Sequence, residues 1–140
     1  EEQEVLKRRR DRRQDSFDLE GVTDAAGLLA MRQAVETVHV DADIERYMVE
    51  LTRGTRSHRQ VSVGASPRGA LALLKLSRAW AAMQGREYVI PDDVKLFIKP
   101  ALSHRLILEP DLWTVPQAAE RVLSEVSQIV PVPVIGATKR

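Results

Sequence analysis

Apolar residues along this chain recur mostly at the three-and-four spacing of helices, with a few short alternating runs between them. Glu1 to Arg13 consists of good helix formers. It opens with Glu1, Glu2 and Glu4 and closes with Lys7 to Arg13, an order that complements a helix dipole. After Gly21, Thr23 or Asp24 can cap a second helix whose apolar positions are Leu28, Met31, Val35 and Val38. Val38 to Val40 reads as extended. Asp41 then caps a third helix with Ile44, Tyr47, Met48 and Leu51 on one face, which should fray around Gly54 to His58.

Val61 to Val63 alternates briefly before a sharp helix start, with Ser66 as N-cap and Pro67 at the first helical position. From Arg68 to Gln84 the sequence is apolar on most sides, which predicts the buried centre of the domain; Arg68, Lys75 and Arg78 form its polar stripe and Gly85 ends it. Tyr88 to Ile90 reads as extended. Pro91 opens a further helix with Val94, Phe97, Ile98, Ala101 and Leu102, kinked or broken near Pro100. Arg105 to Leu108 can pair with another short extended piece. A last amphipathic helix carries Ala119, Val122, Leu123, Val126, Ile129 and Val130, and leads through Pro131 to Val134 into a loose end. The pattern predicts an all-α fold, a small bundle of about five or six helices with at most two very short strands.

At 140 residues, 44% hydrophobic and 29% charged, the composition is that of one ordinary globular domain. With 21 basic and 20 acidic residues the net charge is +1, which speaks against a dedicated nucleic-acid or membrane-surface protein. The absence of cysteine excludes disulfides, thiol catalysis and cysteine-ligated zinc. His39, His58 and His104 are scattered, so no metal site is expected. No apolar run approaches the roughly 18 residues that cross a bilayer, and the expected compartment is the cytoplasm.

The chain has no phosphate-binding loop of the G-x-x-x-x-G-K-[ST] type, no G-x-G-x-x-G and no G-x-S-x-G, so no isolated catalyst is expected. The informative stretch is Val63 to Arg68, V-G-A-S-P-R. It delivers an arginine into the first turn of a well-capped helix, beside an N-terminus that favours anions. Such an arginine can fork onto phosphate oxygens, or simply snorkel out of an apolar helix. The run from Lys7 to Arg13 can grip phosphates, but reads first as a solvated helix face balanced by nearby acids. Trp80 and Trp113 read as packing residues, with Trp113 anchoring the C-terminal stretch. His104 reads as a satisfied structural histidine, and Asp92 with Asp93 as complements to a helix dipole.

Gly64 to Leu74, G-A-S-P-R-G-A-L-A-L-L, resembles the G-A-S-P-R-[AG] segment of MoxR-family AAA+ ATPases. Gly85 to Lys95 resembles that family's G-R-x-Y-V-x-P-D-D-V, and His104 to Leu108 its H-R-[LI]-x-L, in the family's order and spacing. The resemblance covers residues 1–109. It implies a helical AAA+ lid domain there, followed by a C-terminal helical extension and loose tail over 110–140. It implies a C-terminal portion of a longer protein, with the Walker motifs in an upstream core domain. By that similarity Arg68 is the sensor 2 arginine, reaching the γ-phosphate of ATP when the lid closes. Ser66 would aim it, and Gly64 would permit close backbone approach or simply a turn. ATP and Mg2+ would be held mainly by the core, and the fragment alone would not be an enzyme. The parent would be an ATP-hydrolysing, chaperone-like remodeller, a homo-hexamer working with a von Willebrand factor A domain protein, without nucleic acid. The alternative is a free-standing helical module that binds nucleic acid or protein.

Overall fold

The computed structural model describes residues 1–14 and 19–134. Among them are six α-helices, α1 (Glu2–Arg12), α2 (Ala25–Glu36), α3 (Ala42–Arg56), α4 (Pro67–Met83), α5 (Pro91–Leu102) and α6 (Ala118–Ile129). Two short strands, β1 (Val61–Val63) and β2 (Ile107–Leu108), pair antiparallel with Val61 opposite Leu108 and Val63 opposite Ile107. The fold is therefore the small, mostly helical bundle that the apolar periodicity predicts. The expected loose end falls partly on 135–140, outside the described residues.

Contacts divide the chain into two units, residues 1–31 and the remainder. In the first, α1 has no buried residue, and Arg8 pairs with Glu4 at 2.9 Å across one turn, so the basic run is a solvated face. The Asp24 carboxylate accepts the Gly27 N–H at 2.7 Å, the expected cap of α2. The apolar face expected for α2 is not buried: Leu28 and Met31 stand exposed, and the helix ends at Glu36 before it reaches Val38.

The second unit holds the core. Ile44, Tyr47, Met48 and Leu51 of α3 pack with Leu73 and Ala81 of α4, Val94, Ile98 and Leu102 of α5, and Val122, Leu123 and Val126 of α6. The two extended pieces meet each other: the His39 N–H donates to the Glu87 carbonyl at 2.8 Å and the Val89 N–H to the His39 carbonyl at 3.0 Å. Within α6, Ala118 is buried in this core and the expected Ala119 packs against it partly buried, while Ile129 is exposed.

α3 passes Gly54 and ends at Arg56, within the Gly54–His58 stretch where its end is expected; Gly54 itself is where α6 comes close, and a Cβ there would sit 2.8 Å from Val126 Cγ1. α5 continues through Pro100 to Leu102, the proline falling in its last turn, and a 3₁₀ turn follows at Ser103–Arg105. α4 is not buried all round. Gly69, Leu73, Ser77 and Ala81 form one buried stripe at four-residue spacing, and Leu71, Leu76 and Met83 face solvent. Arg78 leaves the polar stripe to pair with Glu36 at 2.9 Å. His104 is exposed with no side-chain partner among the described residues. The satisfied histidine is His58, whose Nε2 lies 3.1 Å from Glu125 Oε2 and whose Nδ1 accepts the Gln60 N–H.

Candidate functional site

The stretch that matters is short: three residues, Gly64 to Ser66, connect β1 to α4 and set where the first turn of α4 begins. The end of α3 holds this connection from one side. The Thr55 hydroxyl donates to the Thr52 carbonyl at 2.7 Å and accepts the Ala65 N–H at 2.9 Å. Arg56 Nε donates to the Ala65 carbonyl at 2.8 Å, so both backbone groups of Ala65 are tied to consecutive residues of α3. Ala65 is fully buried, as is Thr55, where an unpaired amide would be costly.

Gly64 is glycine for a steric reason. A Cβ there would lie 2.7 Å from both Cα and N of Arg56, so the backbone of α3 occupies the space a side chain needs. Close approach at Gly64 is thus approach to α3. Gly69, in the first turn of α4, repeats the device, since its Cβ would meet Leu102 Cδ2 at 2.9 Å and Ala65 Cβ at 3.2 Å. The start of α4 is therefore wedged between α3 and the end of α5.

Ser66 is the N-cap by position, extended at φ −75° and ψ 171°, but its hydroxyl makes no capping hydrogen bond. The first turn is closed by backbone instead, with the Gly69 N–H donating to the Ser66 carbonyl at 2.7 Å. Pro67 at the first position has no N–H to satisfy. Arg68 follows. It is exposed, and among the described residues its guanidinium has no hydrogen bond or ion pair. An unpaired planar donor fork, an uncommitted serine hydroxyl and the positive end of a 17-residue helix converge on one solvent-facing turn. That donor set suits an anion with several oxygens.

The downstream motif has a structural task that the sequence hides. Asp93, 3% exposed, takes a two-pronged hydrogen bond from Arg86, Nη1 to Oδ2 at 2.7 Å and Nη2 to Oδ1 at 2.6 Å. Asp93 Oδ2 also accepts the Ile90 N–H at 2.9 Å, and Arg86 Nη1 donates to the Tyr88 carbonyl at 3.0 Å. The hydrogen bond to Asp93 holds the Arg86 guanidinium above its ordinary range. Asp93 is thus more than a dipole complement: with Arg86 it locks the extended Tyr88–Ile90 piece onto the start of α5. The signal was Asp at the third helical position with Arg seven residues earlier, a spacing that names no partner by itself.

Both tryptophans pack or anchor. The Trp80 ring meets Phe97 edge-on at 6.2 Å, and the Trp113 indole N–H donates to the Leu108 carbonyl at 2.8 Å although the residue is 69% exposed. Among the described residues no group of three His, Asp or Glu is placed to hold a metal ion, and no helix is long and apolar enough to cross a membrane.

Comparisons with known proteins converge on one family. The family model described as AAA lid domain matches residues 53–126, from the last turn of α3 into α6. The chain is 37% identical over 116 residues to the uncharacterized protein YeaC of Bacillus subtilis, covering 83% of this chain and 36% of that protein. It is 31% identical over 125 residues to Chaperone MoxR1 of Mycobacterium tuberculosis, covering 83% and 33% respectively. It is 30% identical over 105 residues to Protein MoxR of Paracoccus denitrificans, covering 65% and 31%. The chain thus spans about a third of the length of these curated relatives. Among solved structures, that of a candidate ATPase from Cytophaga hutchinsonii superposes with a TM-score of 0.81 at 22% identity, over 96% of this chain and 44% of that one, a likeness of fold.

Proposed function

The chain belongs to the AAA lid domain family, and from that premise we propose that it is the lid of a MoxR-type AAA+ ATPase in which Arg68 reads the terminal phosphate of bound ATP. The observation that carries this reading is Arg68 itself, an unpaired arginine on a first helical turn whose position the Thr55, Arg56 and Gly64 contacts fix. ATP supplies the transferable phosphoryl group. This chain supplies a cation that stabilises charge developing on it and a lid whose position reports whether the third phosphate is present. The Ser66 hydroxyl, free of capping duty, is a second donor at the same turn.

The Walker motifs and the Mg2+ ligands lie in the core domain that this lid closes on, outside these 140 residues. The whole protein then acts as a cytoplasmic, chaperone-like remodeller, assembled as a homo-hexamer and partnered by a von Willebrand factor A domain protein. MoxR1 of Mycobacterium tuberculosis, a relative of this chain, is named a chaperone, which supports that reading.

The test is phosphate discrimination. In the parent protein, Arg68→Ala should weaken binding of a non-hydrolysable triphosphate analogue about tenfold, the loss of one charge-assisted fork, and leave ADP affinity unchanged. Equal effects on both nucleotides, or none on either, would remove Arg68 from the nucleotide site.

A further inference from the structure

α4 presents two apolar faces, and the core uses one of them. The buried stripe of Gly69, Leu73, Ser77 and Ala81 faces inward, while Leu76, Ala79, Trp80 and Met83 recur at i, i+3, i+4 and i+7 on a neighbouring face. Leu96, Phe97 and Pro100 of α5 meet this second face, and the seven side chains enclose an open cavity of about 490 Å3 without a polar atom at its surface. Met83 is 75% exposed and Leu96 50%, while Trp80 and Phe97 form the floor through their edge-on contact. The surface of this concavity is wholly apolar.

The two helices carry unpaired charge of one sign beside this face. Lys75 precedes Leu76 and lies one turn before Ala79 on α4; Lys99 precedes Pro100 and lies one turn after Leu96–Phe97 on α5. Both are exposed, and neither has a hydrogen bond or ion pair among the described residues. Lys95, on the same side of α5, is neutralised by Asp92 at 2.9 Å. The unpaired charge flanking the groove is thus positive on both walls. Its complement is an apolar ridge flanked by carboxylates.

We propose that this groove between α4 and α5 binds an amphipathic helix of a partner protein, with apolar residues at i, i+3, i+4 and i+7 and acidic residues along both flanks. The apolar ridge fills the space between Leu76, Met83 and Leu96, and the acidic flanks meet Lys75 and Lys99.

The test uses two fluorescein-labelled peptides of about five helical turns, sharing a leucine ridge and flanked by glutamates in one and lysines in the other. Fluorescence anisotropy with the full chain should show the acidic peptide binding at least about tenfold tighter. Met83→Glu and Leu96→Glu should each abolish binding with the helical circular dichroism unchanged, since both positions are exposed. Lys75→Glu combined with Lys99→Glu should invert the preference between the peptides. Failure of both peptides to bind, equal binding of the two, or binding that survives both groove variants would overturn the proposal. A chain that self-associates until Met83→Glu makes it monomeric, and takes up no peptide, would also overturn it, by showing that a second copy covers this face.

Discussion

Arg86 and Asp93 show how much a single pair of side chains organises in this fold. The carboxylate is buried, receives three hydrogen bonds and anchors both the start of α5 and the extended piece before it. Removing the cation leaves that carboxylate buried without its partner. Arg86→Ala should therefore cost about 3 kcal/mol of unfolding free energy, measured by urea denaturation, and a loss below about 0.5 kcal/mol would deny the pair its anchoring role. Tyr47 makes the opposite case. Its hydroxyl is buried among α3, α5 and the chain after α6 with no hydrogen-bond partner among the described residues. Burial first, and Asp92 second, push its ionisation above the usual phenol range, against the pull of Lys95. The folded pKa then exceeds the unfolded value of about 10, so stability is intact below pH 10 and falls as pH rises beyond it. Lys95, raised by its hydrogen bond to Asp92, adds a loss in the same direction. Tyr47→Phe should leave stability at pH 7 within about 1 kcal/mol and flatten the alkaline limb of a pH–melting curve; an unchanged limb would contradict this assignment. At this scale the sequence was legible for Arg68, whose surroundings are local. It was not legible for Arg86–Asp93 or for Thr55, because a spacing of seven or ten residues does not say which side chains meet.

Between β1 and α4, three residues convert the end of a short strand into the start of a helix. Gly64 fits only because it lacks a Cβ, and the obstructing atoms are the backbone of Arg56 rather than a side-chain tip that could swing away. Gly64→Ala should cost about 1–3 kcal/mol by forced displacement of the connection. Calorimetric melting that is unchanged in this variant would mean the connection yields freely. Starts of helices were readable at this scale: Asp24, Asp41 and Pro67 stand where the polar-to-apolar transitions place them. Ends were less so. Gly54 in α3 and Pro100 in α5 carry local breaking tendencies, yet both helices continue, because α6 packs directly on Gly54 and Pro100 sits in a final turn. The same override explains α4. Its apolar composition suggests burial on all sides, but only α3 and α5 make extensive contact with it, and the remaining apolar face stays open as the groove beside Trp80.

At the scale of the whole molecule, the helical core of the second unit presents Arg68 exposed on the first turn of α4, without a hydrogen bond or ion pair among the described residues. The family motif was legible because its residues lie close together and specify a turn, a cap and an arginine in order. The packing of α6 against Gly54 was not, since it joins residues some 70 positions apart. The central claim is that Arg68 acts on nucleotide and not on the fold, and the two roles separate cleanly. Being exposed and unpaired, it should contribute within about 0.5 kcal/mol to stability. The decisive measurement is steady-state ATP turnover of the parent protein at saturating ATP and Mg2+, wild type against Arg68→Ala, with melting recorded on the same samples. Turnover should fall by about tenfold or more, equivalent to about 1.4 kcal/mol of barrier, at an unchanged melting temperature. Full turnover in Arg68→Ala would contradict the central claim.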